Sequence, residues 1–102
     1  MDRNICITIS ASKWKDYEKY DSNVEDTNKI VNVKCGRLPA KAERNSIRRC
    51  YLCCNDTVVG WERVVGFKEE DKSNYIMISG PLHKLRKQQP MKGFRGFKYV
   101  DF

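Results

Sequence analysis

Two consecutive β-forming runs at the centre of the chain constrain its fold more than any other feature. Residues 47–54 carry Ile47, Cys50, Tyr51, Leu52, Cys53 and Cys54, and residues 57–67 carry four valines, Trp61 and Phe67. β-branched, aromatic and thiol side chains of this kind pack well on a pleated surface. Only Asn55 and Asp56 separate the runs, and both residue types tolerate the backbone conformations of a tight turn. The spacing therefore predicts an antiparallel hairpin. The second run is long for a strand, and Gly60 and Gly66 within it mark expected bends or bulges.

Around this hairpin the remaining elements fall into place. Residues 5–9 are short, apolar and β-branched and predict a buried first strand. Ser10 or Ser12 then caps a helix to about Tyr20, because a serine oxygen accepts from first-turn amides. Residues 21–29 are polar and aperiodic and read as a loop, and residues 30–34 as a second strand. Pro39 followed by the helix formers of residues 40–44 suggests a short helix or a long connection. Residues 68–74 read as a charged turn, residues 75–79 as a strand ended by Gly80-Pro81, residues 82–89 as one or two helical turns, and residues 97–100 as a final strand. Strands thus outnumber βαβ alternations, which argues against a doubly wound parallel sheet. The expected fold is a single α+β domain over residues 1–102: a small, curved, partly closed β-barrel of five to six strands with one or two flanking helices.

Composition fits such a domain, with 40% apolar and 32% charged residues. The longest apolar runs fall far short of the roughly 20 residues that span a bilayer. The first residues lack a basic region leading into an apolar stretch, so a cytoplasmic location is the expectation. Five cysteines without an export signal favour buried, reduced thiols. The Cys50–Cys53 pair has CxxC spacing, but residues three apart on a strand point to opposite faces. With one histidine in the chain, no metal or other cofactor is expected.

Charge is where function becomes legible. Residues 34–49 hold six cations against one acid, and residues 84–98 hold six cations and no acid. These segments carry +5 and +6 of a total of +7, which leaves the remainder of the chain at −4. Such polarity suits a polyanion. In residues 90–101 glycines alternate with aromatics and cations, so backbone can approach a ligand beside stacking rings and phosphate donors.

The run from Arg49 through Cys54 into residues 58–64, together with residues 90–99 before a terminal strand, resembles the PUA-like superfamily, in particular its ASCH and EVE branches. That resemblance implies a β-barrel with flanking helices and recognition of RNA or modified bases in a cleft between them. Many ASCH domains carry a Gly-x-Lys-x-x-Glu-x-Arg signature. Here Gly36, Lys41, Glu43 and Arg44 supply similar residue types at another spacing, so the amidohydrolase activity found in part of that family is not carried over.

A basic, aromatic-lined cleft is the expected site, built from Ser12, Lys13 and Trp14 at a helix N-terminus, Arg37 with Arg44 and Asn45, and Lys92, Phe94 and Arg95. Trp61 is a further stacking candidate. The functional class is a binding module for nucleic acid, RNA foremost, or for a modified nucleotide. Two other classes stay open: a small nucleobase-amide hydrolase using Lys41 with Glu43 or Lys13 with Glu62, and a protein-interaction module for an acidic partner. No nucleophile elbow, phosphate-binding loop or dinucleotide fingerprint occurs.

Overall fold

A computed structural model describes residues 3–21, 30–94 and 96–101 of the chain. In chain order the elements are β1 (Arg3–Thr8), α1 (Ala11–Asp21), β2 (Ile30–Cys35), α2 (Lys41–Arg44), β3 (Ile47–Cys54), β4 (Thr57–Glu70), β5 (Ser73–Pro90) and β6 (Phe97–Val100). The loop read over residues 21–29 lies, but for Asp21, outside the described residues. Among the described residues no helix is long and apolar enough to cross a membrane.

Local chemistry accounts for most of these elements. Ser10 caps α1, its Oγ accepting from the Lys13 amide at 3.2 Å, as a serine at that position does for an otherwise unpaired first-turn amide. Asn55 and Asp56 both take positive φ (53° and 59°), and so do Asp71 and Lys72 at the next turn (50° and 64°). Paired left-handed residues give a turn whose twist matches the strands it joins, so β3–β4 and β4–β5 are both tight hairpins.

The six strands form one sheet in the order β2-β5-β4-β3-β1-β6, parallel only between β1 and β3. Two expectations are corrected here. The barrel is not closed: β2 and β6 are the two edge strands of the sheet and do not pair with each other, and the architecture is an open mostly-β sheet and not the PUA-like class. Residues 82–89 are not helical but extend β5 to Pro90, pairing with Thr57, Val58, Gly60 and Trp61 of β4 with one register shift between Val58 and Gly60. Their helix-forming lysines and glutamines give way to the hydrogen bonds that β4 offers, since tertiary context overrides propensity.

Although open, the sheet is strongly curved. Neighbouring strands lie about 4.8 Å apart, so a flat sheet would hold β2 and β1, four places away, roughly 19 Å from each other. Both nevertheless line one cavity, and Cys35 of β2 joins Ile5 and Ile7 of β1, Ile47, Cys50 and Leu52 of β3, and Ile76, Ile78 and Leu82 of β5 in one buried cluster. Trp14 of α1, Val31, Val33 and Phe97 pack against that inner core. On the outer face a smaller cluster of Cys6, Tyr51, Cys53 and Val58 is partly covered by Leu85, Met91 and Phe94.

Candidate functional site

The curvature brings β2 toward the β1–β6 side of the sheet and leaves a cleft between them. One cavity of about 370 Å³ is lined by Ile7, Thr8, Val33, Lys34, Cys35, Gly36, Phe94 and Gly96. A second, of about 290 Å³, shares Gly36 and Gly96 and adds Arg37 and Phe97. Gly36 and Gly96 border both cavities, and Gly96 has the positive φ (74°) that glycine accepts without strain.

Both walls are held by hydrogen bonds between residues distant in sequence. On one side Asn74 Nδ2 donates to the Gly36 carbonyl at 3.2 Å. On the other, the β3–β4 turn grips the chain after β5: the Met91 amide donates to the Asp56 carbonyl at 2.9 Å and the Gly93 amide to Asp56 Oδ1 at 2.8 Å. The Cys53 thiol donates to the Met91 carbonyl at 3.2 Å, and the Phe94 amide donates to Thr8 Oγ1 at 3.1 Å. Thr8 thereby keeps its own hydroxyl proton for a ligand, because that oxygen is the acceptor in the bond. Lys98 Nζ sits 4.9 Å from the centroid of the Phe94 ring, within the range of a cation–π contact.

The expected site residues divide among three places. Arg37 and Phe94 line the cleft, and exposed Lys92 lies on the segment that Asp56 grips. Arg95 falls outside the described residues. Arg44 and Asn45 do not line the cleft with Arg37; they border a separate depression of about 320 Å³ with Arg48 and Phe67. There Arg44 is engaged by the fold, its Nε donating to the Pro39 carbonyl at 2.9 Å and its guanidinium lying 4.0 Å from Glu69. Ser12 and Lys13 are exposed on α1, whereas Trp14 is half-buried with its Cη2 directed at Gly60. Trp14 is thus a packing residue of the inner core and does not line the cleft.

Among the described residues neither acid–base pair considered for a hydrolase, Lys41 with Glu43 or Lys13 with Glu62, forms an ion pair. Glu43 accepts a hydrogen bond from the Tyr99 hydroxyl. Glu62 is buried at 4% exposure, while Lys13 is exposed. Cys50 belongs to the inner cluster and Cys53 to the outer one, so the CxxC pair points to opposite faces and does not chelate one ion. All five thiols are free and buried. Burial pushes the Cys6 thiol up to about 12, with neighbouring Cys53 adding to the rise and Lys98 opposing it.

A feature that sequence reasoning missed lies on the outer face. Strand register aligns Lys98, Cys6, Tyr51, Trp61 and His83 in a row across five strands. The Trp61 and His83 rings are stacked at 4.0 Å and 14°, and the Arg49 guanidinium lies 4.1 Å from the Trp61 centroid. Tyr51 stands 6.4 Å from Trp61 at 47° and accepts from Arg49 Nη1 at 3.4 Å. The hairpin itself was legible, but its register shift between Leu52 and Cys53 was not, and His83 was hidden by the helical reading of residues 82–89. No family model, curated protein or solved structure matches the chain.

Proposed function

We propose that this chain binds nucleic acid, RNA foremost, seating a nucleotide in the cleft between β2 and the residues Phe94, Gly96 and Phe97. The observation that carries the reading is the meeting of two sequence-distant stretches around two adjoining cavities. Lys34 and Arg37 border them on one side, and Phe94, Gly96 and Phe97 on the other. The chemistry suits the ligand part by part. Lysine and arginine neutralise phosphate, and a phenylalanine ring stacks on a base of any identity. β2 is an edge strand, and such an edge presents backbone donors and acceptors that no neighbouring strand takes up. The Thr8 hydroxyl adds a donor at the cleft wall.

Fluorescence anisotropy with labelled RNA over a salt series tests this. Affinity is expected to fall as salt rises, because phosphate neutralisation releases counterions. Arg37→Ala should weaken binding and lower the salt slope by about 1. Phe94→Ala should cost about 1–3 kcal/mol, the stacking energy of one base on an aromatic ring. Absence of affinity at low salt overturns the reading. So does capture of an acidic protein that survives nuclease treatment while RNA fails to bind.

A further inference from the structure

We infer that the outer face of the sheet is a second contact for the same strand, where an unstacked base adds to the pile of Arg49, Trp61 and His83 and a neighbouring phosphate sits between Arg49 and Arg63. This rests on the nucleic-acid reading of the cleft but on different residues.

The pile is an unfinished stack. Its two partners lie 4.0 and 4.1 Å from the same indole, so they occupy its opposite faces and Trp61 has no face left. His83 is exposed, and its outward ring face is where the next planar group can stack. A base already stacked inside a duplex cannot offer its face, whereas a single-stranded base can. The surface therefore selects single strands.

The charges on this face point to the same ligand. Arg49 and Arg63 stand directly opposite each other in register, and both are exposed. Like charges placed so across a strand pair are destabilising. Among the described residues no acidic side chain forms an ion pair with either of them. A phosphate between the two guanidinium groups removes that repulsion and takes charge-assisted hydrogen bonds from both. Lys98 lies on the same transverse row as His83 and covers Phe94, and Phe94 lines the cleft. A cationic, aromatic path thus leads from the cleft onto the outer face.

The test compares three labelled or competing probes: a ribonucleoside monophosphate, a single-stranded octanucleotide and its duplex. The parent chain is expected to bind the octanucleotide more tightly than either of the others. His83→Ala should weaken the octanucleotide at least about 5-fold, the lower end of what one stacked base contributes, and leave the monophosphate unchanged. His83→Phe, which keeps a planar ring, should restore most of the affinity. Arg63→Gln should lower the salt slope of the octanucleotide by about 1. Octanucleotide binding unaltered by both His83→Ala and Arg63→Gln overturns the proposal, as does equal loss for monophosphate and octanucleotide. The cleft reading fails separately: there, Arg37→Ala and Phe94→Ala have no effect while His83→Ala still weakens the octanucleotide.

Discussion

Gly60→Val is expected to destabilise the domain by about 3 kcal/mol, the upper end of what overpacking a core costs. Gly60 is buried where α1 meets the sheet. A Cβ there would lie 2.9 Å from the His83 carbonyl oxygen, 3.3 Å from Leu82 Cδ1 and 3.3 Å from Trp14 Cη2. The nearest of these atoms is backbone and belongs to the bent middle of β5, which cannot rotate away as a flexible side chain would. The indole of Trp14 and the isobutyl group of Leu82 are themselves packed against the inner core. At roughly 4–8 °C per kcal/mol for a domain of this size, the thermal midpoint should drop by more than 10 °C. Gly36→Ala is the control: a Cβ at that position meets nothing within 4 Å, and its cost should stay within about 0.5 kcal/mol. Equal midpoints for Gly60→Val and the parent would refute the close packing of α1 on the sheet.

Stability is expected to fall steeply as pH rises above about 9, through the titration of buried thiols. Burial holds the Cys6 thiol at about 12 and pushes Cys35, Cys50 and Cys53 above the ordinary 9.0. For Cys50, wholly inside the inner core, the rise is large, and neighbouring Cys6, Glu62 and Cys35 add to it. The folded chain therefore keeps these protons after the unfolded chain has released them. The stability they confer is complete below pH 9 and is lost as pH climbs through the folded-state values. A urea-unfolding series should give a flat midpoint from about pH 7 to 8.5 and a progressive decline toward 12. Cys50→Ala should make that decline shallower, whatever it does to stability at neutral pH. Identical slopes for parent and variant would assign the decline to other groups.

What the sequence disclosed was chiefly what neighbouring residues decide. The β3–β4 hairpin follows from two apolar runs and an Asn-Asp turn, and Ser10 at the start of α1 follows from the needs of first-turn amides. Residues 82–89 were misread because their lysines and glutamines favour a helix locally. Their partners, residues 57–61, lie more than twenty positions earlier, beyond the reach of any local pattern. The site shows the same division. Alternating glycine, aromatic and cationic residues marked Phe94 and its neighbours, and the cationic stretch marked Arg37. That these two meet while Arg44 and Asn45 border another depression depends on how far the sheet curls. The stack on Trp61 was less accessible still. A plain two-residue hairpin pairs Tyr51 with Gly60; only the register shift between Leu52 and Cys53 brings Trp61 opposite Tyr51.

The grip of Asp56 on residues 91–93 also fixes an order of events during folding. Its carbonyl and carboxylate are aimed by a left-handed backbone conformation that exists only once the hairpin has closed. The contacts that depend on it bridge 37 and 38 residues, and the one to Thr8 bridges 86. Closing such spans is slow compared with zipping a hairpin. Ordering of this wall should therefore follow closure of the β3–β4 hairpin, visible in pulse-labelled refolding as protection of the Gly93 and Phe94 amides that lags protection of the hairpin amides. Simultaneous protection of both would mean that the carboxy-terminal wall is assembled without waiting for the turn.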